Sequence, residues 1–141
     1  MIYLDTSVVV SYYCPETISS QVQSLLRSQK KKPALSFLTE VEFASALSRK
    51  VRMNELGPVD ANRILTKFTS HAEAGFYRII PLEKAHYQLA KGWISLLTTP
   101  LRTLDALHLA IASSEELQLV TSDESFFSAA RMLDLDARLM A

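Results

Sequence analysis

The sequence predicts an α/β fold: a three-layer arrangement in which helices cover both faces of a four- or five-stranded, mainly parallel sheet. Three observations carry this. Short apolar runs alternate along the chain with longer stretches of helical spacing. The apolar runs are continuous, as strands covered on both faces require. The 141 residues include only 3 Gly and 5 Pro, too few for an all-β chain built on tight turns. Hydrophobic residues make up 48% and charged residues 21%, so one core-forming domain over residues 1–141 is expected.

The elements follow in order. Ile2–Leu4 is a buried strand ending at Asp5. Ser7–Cys14, apolar and β-branched, fits a short helix that stops before Pro15. Residues 18–31 place Ile18, Val22, Leu25 and Leu26 at helical spacing. Ala34–Leu38 is the second strand, and Thr39–Met53 a helix with Val41, Ala44, Leu47 and Val51 on one stripe. Gly57-Pro58 breaks the chain, Val59–Ala74 is helical with Ile64, Leu65 and Phe68, and Gly75 ends it. These two helices are expected to form a projecting hairpin. Phe76–Ile80 is the third strand, closed by Pro81. Leu82–Leu97 is a helix burying Leu89, Trp93 and Leu96. Thr103–Glu116 is a strong helix with Leu104, Leu107, Ala110 and Ile111 on its inner face. Leu117–Thr121 is the fourth strand, Ser125–Leu133 a helix, and Ala137–Met140 a short fifth strand at the edge.

Several chemistries are excluded. Cys14 is the single cysteine, so neither an internal disulfide nor a thiolate zinc site can form. His71, His86 and His108 are too far apart for a short-range ligand pair. The glycine-built nucleotide and hydrolase motifs are absent. The start, MIYLDTS, is a poor signal peptide, and no apolar run approaches the ~18 residues of a membrane helix, so a cytoplasmic protein is expected. Lys plus Arg and Asp plus Glu are both 15, a net charge of zero that neither argues for nor forbids a polyanionic partner. The runs Lys30–Lys32 and Arg49-Lys50 with Arg52 read as solvated helix C-termini, where cations suit the dipole.

Four acids stand out by position. Asp5 follows the first strand, Glu42 lies in the first turn after the second, Asp105 in the first turn of the helix feeding the fourth, and Asp123 just past that strand. In an open parallel sheet, strand C-termini and helix N-termini share one edge, where ligands bind. All four acids map to that edge. Each alone has an ordinary explanation as a cap or dipole partner, Glu42 as the N3 residue of a capping box begun at Thr39. Capping does not explain four acids on one edge with no basic side chain expected beside them. Clustered carboxylates protonate or take up a cation. Oxygen-only donors favour Mg²⁺ or Mn²⁺, and such ions at a sheet edge suit phosphodiester hydrolysis. Thr6, Ser7 and Thr121 stand beside the acids as hydroxyls able to orient them, or as ordinary strand-end turn residues.

The strings YLDTSVVV (Tyr3–Val10), LTEVEFASAL (Leu38–Leu47), LRTLDALHLAIA (Leu101–Ala112) and LVTSDESFFSAA (Leu119–Ala130) resemble those of PIN-domain ribonucleases, especially VapC-type toxins of toxin–antitoxin pairs. They occur in the family's order over nearly the whole chain. The resemblance implies metal-binding catalytic acids at Asp5, Glu42, Asp105 and Asp123, supported by the hydroxyls of Thr6 or Ser7 and Thr121. It also implies Mg²⁺- or Mn²⁺-dependent endonucleolytic cleavage of RNA, a homodimer, and inhibition by a cognate antitoxin. Glu42 is preferred to Glu40, which lies well off its helix face. His108, three residues after Asp105, is within reach of it and is expected to be packed or carboxylate-bonded.

Two other families with an acid after the first strand do not fit. A dehalogenase-type phosphatase needs a second Asp where Ser7 stands. A receiver domain needs an acidic pair and a late Lys, and no Lys follows Leu101. The remaining alternative is an inactive PIN-fold binding module, its acids serving as caps, with Phe37, Phe43, Leu47, Phe126 and Phe127 lining a partner groove or filling the core.

Overall fold

The computed structural model describes residues 1–141. The chain forms β1 (Ile2–Leu4), α1 (Thr6–Tyr13), α2 (Ser19–Ser28), β2 (Ala34–Ser36), α3 (Phe37–Arg52) and α4 (Pro58–Glu73). It continues with β3 (Arg78–Ile80), α5 (Lys84–Ile94), α6 (Thr103–Ser114), β4 (Gln118–Thr121), α7 (Glu124–Met132) and β5 (Ala137–Leu139). All five strands are parallel, in the order β3-β2-β1-β4-β5, with the fifth at the edge. The chain winds outward from β1 to β3, then returns to place β4 on the other side of β1. Leu4 pairs with Val120, and the Asp5 N–H donates to the Val120 carbonyl at 2.9 Å. The crevice between β1 and β4 is therefore the topological switch point.

Alternating side chains divide the core between the two faces. Tyr3, Ala34 and Leu119 pack with α5, α6 and α7 through residues such as Ala106, Ala110, Ile111 and Phe126. Ile2, Leu4, Leu35 and Val120 pack with α1 to α4 through Val8, Val9, Phe43, Leu47 and Phe68. The hairpin of α3 and α4 is not detached from the sheet: Phe43 and Phe68, tilted rings with centroids 4.4 Å apart, share one buried cluster with Leu4 of β1 and Leu35 of β2. The helix ends use the residues expected. Pro58 opens α4 and Gly75, at φ +80°, ends it, with the Phe76 N–H bonding back to the His71 carbonyl at 3.0 Å. Asn54 takes the same left-handed conformation after α3.

Several boundaries differ from expectation. The second strand ends at Ser36 instead of Leu38, because Ser36 and Thr39 form the capping box that starts α3. Short apolar runs do not distinguish a strand from a helix start. Glu42 consequently lies in the second turn of α3, and it is not the N3 residue of a box begun at Thr39. Leu104 is 45% exposed at the start of α6, and Leu96 lies exposed beyond the end of α5. Lys30–Lys32 lie past the end of α2, whereas Arg49, Lys50 and Arg52 do occupy the last turn of α3. Phe43, Leu47 and Phe126 are core residues, Phe127 is half-buried, and Phe37 is exposed. No helix is long and apolar enough to cross a membrane.

Candidate active site

The C-terminal ends of the central strands and the starts of α1, α6 and α7 meet at the switch point. Asp5 holds the N-cap position of α1, yet its side chain bonds no backbone N–H. Oδ2 accepts instead from the Ser7 hydroxyl at 2.8 Å and the Thr121 hydroxyl at 2.7 Å. Asp5 and Thr121 are buried. The two hydroxyls also tie the strand ends together: Ser7 Oγ accepts from the Ser122 N–H at 3.1 Å, and Thr121 Oγ1 from the Asp123 N–H at 3.1 Å. Asp5 Oδ1 is left without a hydrogen-bond partner.

Asp123 is a true N-cap. Its Oδ1 accepts from the N–H groups of Ser125 at 2.9 Å and Phe126 at 3.1 Å, satisfying the open end of α7. Its Oδ2 faces Arg102 Nη2 at 3.3 Å. Asp105, in the first turn of α6, receives Arg102 Nε at 3.5 Å on Oδ2. Arg102 corrects the expectation that no basic side chain stands beside the acids. It was legible in the string LRTLD, three residues before Asp105, where an N-cap side chain reaches the first turn. Burial first, then the charges of Asp5 and Asp123, push the Asp105 carboxyl up to about 6; Arg102 and His108 only partly oppose them. Asp5, Asp105 and Asp123 thus share one field.

Glu42 stands beside this trio. Its Oε1 accepts from the Thr6 hydroxyl at 2.9 Å and bonds His108 Nε2. Burial alone would raise the Glu42 carboxyl, but His108 and Thr6 outweigh it and hold it below the ordinary range. His108 is fully buried, and its Nδ1 meets the Tyr3 hydroxyl at 2.6 Å. Tyr3 in turn donates to Ser36 Oγ at 2.9 Å. The carboxylate that His108 binds is therefore Glu42, on another helix, and not the nearby Asp105. This buried chain from Ser36 to Glu42 was not foreseen, because it joins residues remote in sequence. Glu40, by contrast, lines a separate groove with Phe37, Leu65 and Phe68.

No group of three or more His, Cys, Asp or Glu side chains stands in metal-holding geometry. The acids share an edge without forming a closed shell: Asp123 caps α7, Glu42 is drawn to His108, and Arg102 spans Asp105 and Asp123. The donor set nevertheless fits a hard divalent cation. Every donor is oxygen, burial and then the charges of Asp5 and Asp123 disfavour an ionised Asp105, a cost that a cation would relieve, and Asp5 and Glu42 each commit only one oxygen to the protein. A groove of about 590 Å³ opens beside them, lined by Thr6, Ser7, Glu42, Arg49, Leu104 and Ser122.

Similar folds are known. The crystal structure of FitAcB from Neisseria gonorrhoeae superposes with TM-score 0.73 at 22% identity, covering 97% of this chain and 96% of that one. VapBC2 from Rickettsia felis, bound to a DNA fragment from its promoter, gives 0.72 at 19% identity with 100% of both chains covered. VapC20 from Mycobacterium tuberculosis, described as a sarcin–ricin loop cleaving toxin, gives 0.70 at 18% identity, covering 92% and 95%. No curated protein matches the sequence. The family model described as PIN domain matches residues 2–132, with the switch-point acids and their hydroxyl partners inside that span. This chain belongs to the PIN domain family.

Proposed function

We propose that the protein is a Mg²⁺- or Mn²⁺-dependent endoribonuclease that hydrolyses RNA phosphodiester bonds and serves as the toxin of a toxin–antitoxin pair. The observation that carries this is the use of oxygens at the switch point. Asp5 and Glu42 each give one oxygen to protein partners and keep the other free, and Asp105 has only Arg102 on its Oδ2. Pure caps would have spent these carboxylates on backbone N–H groups, as Asp123 Oδ1 does. Family membership supports the reading, as do structural neighbours described as a toxin–antitoxin complex from Klebsiella pneumoniae and a sarcin–ricin loop cleaving toxin.

Asp5, Asp105 and Asp123 would hold the cation, with Glu42 at its margin. When bound, the cation supplies Lewis acidity and a water of lowered pKa. The protein supplies order around it. Ser7 and Thr121 pin Asp5 Oδ2, which fixes where Oδ1 points. Thr6 and His108 restrain Glu42 Oε1 in the same way. Asp105, raised to about 6 in the metal-free protein, would give up its proton on taking up the cation. The groove runs from Glu42 to Arg49 and Lys50, a path for the RNA backbone. An antitoxin would inhibit the enzyme, and a homodimer in the cytoplasm is its expected working form.

One observation favours the alternative of an inactive binding module: the acids are partly engaged by the protein itself, through Arg102, His108 and the α7 cap. Purified, partner-free protein separates the readings. The nuclease cuts structured RNA with Mg²⁺ or Mn²⁺ and stops when EDTA is added. Intact RNA at millimolar metal, together with an unchanged melting temperature, would favour the binding module.

A further inference from the structure

Arg102 is placed where local structure gives it no benefit. It is the N-cap of α6, yet its side chain caps nothing. Ser, Thr, Asp and Asn serve that position because their oxygens accept from the open N–H groups, and a guanidinium cannot accept. A cation at a helix N-terminus also opposes the macrodipole. Its side chain is 76% exposed, so packing does not hold it there. What Arg102 meets is a pair of carboxylates from two elements: Asp105 of α6 through Nε at 3.5 Å, and Asp123 ahead of α7 through Nη2 at 3.3 Å. No other lysine or arginine pairs with any of the four acids.

We infer that Arg102 is the built-in counter-cation of the metal-free site, which a divalent ion must displace from Asp105 and Asp123, so that it sets the ion concentration at which the site fills. This rests on reading the acids as a metal centre. The backbone of Arg102 is fixed, since its carbonyl accepts from the Ala106 N–H at 2.8 Å. The guanidinium is free to swing outward. The planar fork reaches two carboxylates at once, which a lysine ammonium does less well.

The test is calorimetric titration of Mn²⁺ into EDTA-stripped, RNA-free protein. Arg102→Gln should bind Mn²⁺ about fivefold more tightly than the parent protein, the scale of one or two exposed ion pairs. Arg102→Lys should fall between them. Arg49→Gln, in the neighbouring groove, should change affinity by less than about twofold, because exposed charges at a distance are screened. Unchanged or weaker Mn²⁺ binding in Arg102→Gln overturns the inference, as does equal tightening in Arg49→Gln, which would reflect net charge alone. If the parent protein binds no Mn²⁺, the metal-centre reading falls and this inference with it. Binding in the parent without tightening in Arg102→Gln removes only the role of Arg102. The exposed side chain makes misfolding of these variants a minor concern, and circular dichroism checks it.

Discussion

Asp105 makes the metal-free protein less stable as pH rises. Burial and the neighbouring Asp5 and Asp123 lift its carboxyl from the ordinary 3.8 to about 6. Its side chain is only 18% exposed, so solvent screens the effect weakly. The native state then holds a proton that the unfolded chain has already released. Stability is therefore greatest below the unfolded value, falls as pH rises through the window between 3.8 and about 6, and stays low above it. The shift corresponds to roughly 3 kcal/mol once the group is fully ionised. Asp105→Asn mimics the protonated form and lacks this penalty. Urea unfolding of both proteins in EDTA, from about pH 4 to about pH 7.5, reads the titration of Asp105 together with the neighbours coupled to it, because slopes from distant groups cancel in the difference. The variant should gain roughly 2–3 kcal/mol on the wild type across the window. Saturating Mn²⁺ at the upper pH should stabilise the wild type more than the variant. A variant-minus-wild-type difference that stays constant with pH would refute the claim that burial and the neighbouring acids raise the Asp105 carboxyl in the folded protein.

Asp5→Asn should abolish RNA cleavage while the protein stays folded, read by a gel assay alongside circular dichroism; undiminished cleavage removes Asp5 from the mechanism. His108→Leu removes the imidazole that joins Glu42 to Tyr3, leaving Glu42 only the Thr6 hydroxyl and Tyr3 only Ser36 Oγ, and should cost about 1–3 kcal/mol in urea unfolding. Retention of full stability would mean that water replaces the imidazole at no cost. Phe43→Ala opens a cavity against Phe68 and should lower stability by about 3–5 kcal/mol without changing the metal-free site. A loss below about 1 kcal/mol would show that the α3–α4 hairpin adds little to the core.

The alternation of strands and helices was legible because each element buries a face, and burial leaves a period in the sequence. Boundaries were less legible. Phe37 and Leu38 continue an apolar run, and only the Ser36–Thr39 capping box shows that the helix has begun. The exposure of Leu104 and Leu96 was hidden for a similar reason: hydropathy does not tell which apolar residues face a groove or lie past a helix end.

The sequence by itself placed the acids on the C-terminal edge of the sheet, while the adjacency of β1 and β4 and the presence of Arg102 beside the acids came from the fold. Strand ends and helix starts in a parallel sheet must meet at that edge, so Asp5, Asp105 and Asp123 were placed by topology alone. Only the tertiary structure decided what those acids do with their oxygens. Arg102 bridging two of them, His108 tied to Glu42, and Ser7 and Thr121 sharing one oxygen of Asp5 are contacts across the fold. Periodicity records the burial of a face, which many residues determine together. A hydrogen bond depends on a few tenths of an ångström between single atoms, and that distance is set only when the elements pack.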